Sequence, residues 1–250
     1  MKQIVCKNLG LTYKNEWVFK DLNFQIKQNE FITILGPSGC GKSSLLNILA
    51  GTLSATLGEV FIDDKQIIGL NHYFSYMPQD DLLFNSKTVQ ENISLYQKIH
   101  HLPIDNQKNE QLLKKFGLFT VKNSYPDELS GGMKQRVAFL RTVLVDRDIL
   151  LLDEPFGALD IFTRQTLQDW LKTIANSLNK TIILVTHDID EAIYLSDRIL
   201  IMGQTPSQII SEINLTEEEQ TRSWLAHQGD LRETIYQTIK NKQIMASDHD

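Results

Sequence analysis

Eight consecutive residues, Gly36-Pro37-Ser38-Gly39-Cys40-Gly41-Lys42-Ser43, fit the spacing G-x-x-x-x-G-K-[ST]. Those types suit one chemistry. Glycines let the backbone curl, so that successive N–H groups face inward and hold phosphate oxygens. A helix starting at the end of the curl adds its positive pole. Lys42 supplies a full charge to the β- and γ-phosphates of a nucleotide, and the Ser43 hydroxyl can ligate Mg²⁺. The alternative is a glycine turn with a solvated lysine. The flanks oppose it, because residues 31–35 form an apolar run and Leu45, Leu46, Ile48 and Leu49 crowd one side of a helix that Gly51 can end. Many unrelated nucleotide hydrolases share such a loop, so it establishes nucleotide binding and leaves the class open. Cys40 reads as a small loop residue, and a thiol beside Lys42 suggests sensitivity to alkylation.

A second constellation is Ile149-Leu150-Leu151-Leu152-Asp153-Glu154, an apolar strand that ends in two carboxylates. Side chains at the C-terminal ends of parallel strands project into the ligand crevice. There Asp153 can hold Mg²⁺ through water, and Glu154 can accept a proton from an attacking water. A surface acidic pair is the bland reading, and the Pro155 and Gly157 that follow fit both. The third feature is Leu129-Ser130-Gly131-Gly132-Met133, ahead of a helical stripe at Val137, Leu140 and Leu144. By itself Ser130 reads as a helix N-cap. Its hydroxyl and the helix N-terminus could also bind a phosphate. Its place 23 residues before Asp153, in a chain that already has a phosphate loop, favours the second use.

The elements that must hold these groups alternate. Residues 2–7 and 17–26 read as early strands, and 31–35, 59–62, 73–77, 149–152, 181–186 and 199–202 as further ones. Helices are expected at 42–50, from 133, around 167–178 and near 189–195, and a helical block is expected over 82–146. The stretch from about 217 should be polar and helical before an acidic tail at 241–250. Apolar strands alternating with helices imply an α/β fold with a mainly parallel core sheet. The 250 residues carry 42% apolar and 22% charged side chains and a net charge of −6, which suits one globular domain and disfavours nucleic acid as a partner. No apolar run approaches a membrane span, the N-terminus lacks the run of a secretion signal, and the two cysteines form no metal cluster, so a cytosolic chain is expected.

From about residue 2 to 203 the chain resembles the nucleotide-binding subunits of ABC transporters. The resemblance rests on Gly36–Ser43, on Leu129–Met133 as that family's signature, and on Asp153-Glu154 in that order. It implies a P-loop NTPase fold with an N-terminal antiparallel β part and an inserted helical subdomain at about 82–146, all within a domain spanning 1–240. It also implies roles. Tyr13 matches the aromatic that stacks on adenine, and Ser44 extends the phosphate loop. Gln79 matches the glutamine that touches Mg²⁺ and the attacking water. Ala158-Leu159-Asp160 matches a loop that crosses between subunits. His187 matches the histidine that contacts the γ-phosphate. Met133 stands where many members have glutamine, and Ser44 where threonine is frequent; neither change removes a phosphate ligand.

By the same resemblance ATP and Mg²⁺ are the ligands, and two copies pair head to tail. Lys42, Ser43, Asp153, Glu154 and His187 of one copy then face Ser130 and Gly132 of the other. The subunit would power a membrane permease from its cytoplasmic face and serve an extracytoplasmic solute-binding protein indirectly. Leu82, Leu83 and Phe84 are candidate permease contacts, with core packing as their alternative. Met77-Pro78-Gln79-Asp80-Asp81-Leu82-Leu83, Ser130-Gly131-Gly132-Met133-Lys134-Gln135-Arg136 and Phe156-Gly157-Ala158-Leu159-Asp160 resemble one importer group. Its members take up nitrate, sulfonates such as taurine, bicarbonate or thiamine-precursor pyrimidines. An ABC-type ATPase of a non-transport assembly machine is the competing class, and a module that binds ATP without hydrolysing it is a second.

Overall fold

The computed structural model describes residues 3–215 and 220–247. The chain opens with two long strands, β1 (Ile4–Tyr13) and β2 (Glu16–Ile26), followed by β3 (Phe31–Leu35) and α1 (Lys42–Ala50). Next come β4 (Leu57–Ile62), the two-residue β5 (Lys65–Gln66) and β6 (Phe74–Met77). Four α-helices follow before the next strand: α2 (Val89–Ile93), α3 (Leu95–Ile99), α4 (Asn106–Lys115) and α5 (Gly131–Val143). The chain then alternates through β7 (Ile149–Asp153), α6 (Ile161–Leu178), β8 (Thr181–Thr186), α7 (Ile189–Leu195), β9 (Arg198–Met202) and β10 (Ile209–Asn214). It closes with α8 (Arg222–Ala226) and α9 (Gly229–Ser247).

Two sheets result. One is antiparallel, in the order β2-β1-β4-β5, and the other runs β10-β9-β3-β8-β7-β6. In the second, β9, β3, β8, β7 and β6 are mutually parallel and β10 is an antiparallel edge. Strands β3, β7, β8 and β9 are buried along their whole length, which explains why they are apolar without alternation. Their side chains still divide by a period of two. Ile32, Ile34, Ile149, Leu151, Ile183 and Val185 join a core with α1 and the antiparallel sheet. Phe31, Leu35, Leu150, Leu152, Ile182 and Leu184 join a second core with α5, α6 and α7.

Some expectations shift. β1 extends to Tyr13, further than the residues 2–7 read as strand. The helical block starts at α2, because residues 82–88 form a loop. Asn92 pins that loop: Oδ1 accepts from Phe84 N at 2.9 Å, and Nδ2 donates to the carbonyls of Lys87 at 2.9 Å and Thr88 at 3.1 Å. β10 was missed in the sequence, since a half-exposed edge strand carries little apolar signal. The polar tail expected from 241 continues α9 through Ser247; residues 248–250, and 216–219 earlier, lie outside the described residues.

Candidate nucleotide-binding and catalytic site

The loop after β3 turns on glycines, two of which, Gly36 and Gly41, have no room for a side chain. Gly41 has φ +97°, and a Cβ there would sit 2.7 Å from Val18 Cγ1. A Cβ on Gly36 would lie 2.7 Å from the Met202 carbonyl oxygen. The loop is therefore wedged between β2 and the end of β9. Lys42 is 5% exposed, and its ammonium donates to the carbonyls of Gly36 and Pro37, both at 2.9 Å. These bonds hold the charge inside the curl of the backbone. Ser38 and Gly39 are exposed at the crown, while Pro37 and Ser44 are half-buried. The Cys40 carbonyl accepts from Ser207 Oγ at 2.6 Å, and its thiol is buried and pushed above its usual range by that burial. The expected sensitivity to alkylation is thereby disfavoured, because the reactive thiolate is suppressed.

The same period of two sets the acidic pair. Asp153 ends β7 on the face of Ile149 and Leu151, which α1 covers. Ser43 Oγ accordingly donates to Asp153 Oδ1 at 3.0 Å. The Asp153 carboxyl is 1% exposed and pushed up to about 6. Burial is the largest cause; the Ser43 hydrogen bond opposes it, the Glu154 charge adds to it and Lys42 offsets part. A hydroxyl and a buried carboxylate together, both hard oxygen donors, fit Mg²⁺.

One sign follows for stability. Because the folded-state value lies above the ordinary 3.8, the folded chain binds this proton more tightly than the unfolded one. The contribution of Asp153 to nucleotide-free stability should therefore fall as pH rises from about 4 to about 6, and the penalty persists above that window. Asp153→Asn removes the charge and keeps the shape. It should raise the Tm at pH 7.5 by roughly 2–6 °C in the absence of nucleotide and Mg²⁺ while abolishing turnover. Thermal melts of both proteins check this; an unchanged or lower Tm would mean that the buried charge is not the cost.

Glu154 leaves the strand in the left-handed region, at φ +47°, and its N–H donates to the Val185 carbonyl at 2.9 Å. That turn swings its side chain away from Asp153 toward β8. There Glu154 Oε1 lies 3.1 Å from His187 Nδ1, in the turn between β8 and α7. His187 is largely exposed, so its imidazole faces the crevice from the solvent side. Behind it, Thr186 Oγ1 accepts from Asp188 N at 3.0 Å and donates to the buried Glu191 carboxylate at 2.7 Å. Gln168 Nε2 also donates to Glu191, at 3.2 Å. Burial first, then the Asp188 charge, pushes the Glu191 carboxyl up to about 7, against the Thr186 hydrogen bond.

Gln79 follows Pro78 at the end of β6, whose Met77 pairs with Leu152, so it emerges exposed beside the end of β7. The loop beyond it is tied down by Arg141, which donates to the carbonyls of Leu82 and Asp81, both at 2.7 Å. Tyr13 is 59% exposed at the tip of the β1–β2 hairpin. Val18 and Phe19 of that hairpin back Gly41.

Lys42, Ser43, Asp153, Glu154, Gln79 and His187 thus gather at one edge, the C-terminal ends of β3, β6, β7 and β8. Ser130 and Asp160 instead act locally as caps. Ser130 Oγ accepts from Met133 N at 3.3 Å, and Asp160 Oδ1 accepts from Thr163 N at 3.0 Å. Capping leaves oxygen lone pairs unused on both. Ser130 and Gly131 are exposed, Leu129 is buried and Gly132 and Met133 are half-buried, so the turn presents its polar edge to solvent.

Residues 19–157 match the sequence profile of the family described as ABC transporter, which is more than half of the chain. The chain belongs to the ABC transporter family. It is 45% identical over 192 residues to the aliphatic sulfonates import ATP-binding protein SsuB of Bacillus cereus, covering 77% of this chain and 76% of that one. It is 38% identical over 240 residues to the taurine import ATP-binding protein TauB of Pelagibacter ubique, covering 93% and 89%. Among solved structures, the ATP-binding cassette MJ0796, described as a dimer in a post-hydrolysis state bound to ADP and Pi, superposes with a TM-score of 0.76 at 31% identity. That match covers 85% of this chain and 98% of the other. Both sheets and the order of phosphate loop, signature turn and acidic pair are those expected of an ABC cassette.

The sequence reading gave Gln135 no role beyond its place in a phrase shared with one importer group. Gln135 is 7% exposed and bridges the segment after Glu154. It falls off the apolar stripe of α5, and an amide next to a motif looks like a solvated face. The apolar trio 82–84 divides: Leu83 packs against the core, while Leu82 and Phe84 are 62% and 50% exposed.

Proposed function

We propose that this chain binds MgATP between two head-to-tail copies and hydrolyses it to drive solute import through a membrane permease. The observation that carries the reading is the Ser43–Asp153 hydrogen bond beside the Glu154–His187 pair, at the mouth of the phosphate loop. In this reading Gly36 to Ser44 wrap the phosphates of one copy's ATP and Tyr13 stacks on its adenine. Ser130 and Gly132 of the other copy close on the γ-phosphate, and Asp160 crosses beside them. Ser43, Asp153 and Gln79 would hold Mg²⁺, which neutralises charge on the β- and γ-phosphate oxygens when bound. Glu154 takes a proton from the attacking water, the new P–O bond forms at the γ-phosphorus, and the bond to the bridging oxygen breaks with ADP leaving. His187 orients Glu154 and the γ-phosphate. Residues 1–240 serve as one nucleotide-binding domain, with 82–146 as the inserted helical part.

The permease surface in this proposal is an apolar groove of about 400 Å³ lined by Phe74, Tyr76, Phe84, Leu95, Ile99 and Val145. It lies over the end of the loop that starts at Gln79, so ATP-linked movement of that loop reaches it directly. No helix among the described residues is long and apolar enough to cross a membrane. Attachment to the cytoplasmic face is therefore assigned to the permease. The names of the relatives point to sulfonates as the solute class, delivered by an extracytoplasmic solute-binding protein. Reconstitution of the chain with its cognate permease tests the reading. ATP-dependent accumulation of an alkanesulfonate in proteoliposomes is the expected result, and ATP turnover that never responds to the permease would refute it.

A further inference from the structure

Gln135 stands just past the first turn of α5, behind the Ser130-Gly131-Gly132 turn. Its amide is buried, and both ends are used on the catalytic segment. Nε2 donates to the Glu154 carbonyl at 3.0 Å, and Oε1 accepts from Ala158 N at 2.9 Å. Gly157 N donates to the same Glu154 carbonyl at 3.3 Å. The turn itself abuts this segment, since a Cβ on Gly132 would lie 3.3 Å from the Ala158 carbonyl oxygen. One side chain therefore ties three parts together: the signature turn, the backbone of the proton acceptor and the loop leading to Asp160. Val137, Phe139 and Leu140 already anchor α5 in the core, so its packing does not depend on this amide.

We propose that Gln135 is a positioning residue that couples the two ATP sites of the dimer. The inference rests on the head-to-tail reading above. There, the signature turn of a chain grips the partner's nucleotide while Glu154 of the same chain acts on its own. A displacement of the α5 N-terminus by the distant γ-phosphate then reaches the Glu154 carbonyl and the 157–160 loop through two hydrogen bonds. Buried amide bonds transmit it because breaking them leaves polar groups unpaired and away from water. Glu154 sits at φ +47°, outside the broad wells of a non-glycine residue, so a small backbone shift re-aims its carboxylate.

The test uses Gln135→Leu, which removes both bonds at similar volume, and Gln135→Glu, which keeps only the acceptor for Ala158 N. With Glu154 intact, each should lower kcat about tenfold or more and leave the KM for ATP within about threefold. In a Glu154→Gln background, MgATP should still drive dimer formation by size-exclusion chromatography, since no phosphate ligand is lost. Mixed dimers read the coupling itself. Against a Lys42→Ala partner, a chain with Gln135 should slow at its remaining site, whereas a chain with Gln135→Leu should show no further loss. Wild-type kcat in both variants, or the same loss from the Lys42→Ala partner in both chains, overturns the proposal. Failure of the Glu154→Gln protein to dimerise would instead overturn the head-to-tail reading and the coupling with it.

Discussion

Replacing Glu154 with glutamine is expected to lower ATP turnover by about 10²–10⁴-fold while ATP affinity stays within about threefold. Glutamine keeps the shape and a hydrogen-bonding atom toward His187, which now lies 3.1 Å from the carboxylate. It cannot take a proton from water. The substitution also removes a charge that raises the neighbouring Asp153 carboxyl, so repulsion against bound triphosphate falls. Uncleaved ATP should then hold two copies together. Phosphate release measures the first effect, and elution volume with and without MgATP the second. Turnover equal to that of the unmodified protein would remove Glu154 as the proton acceptor and leave its left-handed backbone without a catalytic purpose.

Lys42→Ala should weaken ATP binding by at least about 100-fold, because charge-assisted bonds to phosphate are each worth about 1.5–3 kcal/mol. The effect is expected on affinity and not on folding. The ammonium's hydrogen bonds go to the Gly36 and Pro37 carbonyls of its own loop. Calorimetric titration with ATP measures the loss, and circular dichroism of the same sample checks the fold. Ser130→Ala provides the contrast. Its hydroxyl is exposed and caps α5, so a single copy should bind ATP as before while ATP-driven pairing fails. Equal loss of affinity in both variants would place Ser130 in the same pocket as Lys42 and contradict a site shared between copies.

The parts of the site written as unbroken local patterns were legible. The glycine curl, the lysine and the serine are neighbours in sequence because they act on one small group, and a helix must start where they end. The apolar run before Asp153 announced a buried strand, and its last residue had to face the crevice. Other parts needed the fold. β10 is a half-exposed edge, so no apolar run marks it. The loop 82–88 looked helical because its apolar residues serve two surfaces: Leu83 faces the core, and Leu82 and Phe84 face solvent. Cys40 looked reactive beside Lys42, but burial governs its thiol.

Residue order alone marked a phosphate-type loop and two carboxylates at the end of one strand, because that chemistry is done by side chains close together along the chain or at the end of one strand. Only the tertiary structure decided which partners those groups have. Ser43 meets Asp153 across 110 positions, His187 meets Glu154 across 33 and Gln135 reaches Ala158 across 23. Such bonds depend on which face of a strand turns toward which helix and, for Ser43–Asp153 and Gln135–Ala158, on burial that keeps water from replacing them. Both are properties of the packed layers and not of any one segment.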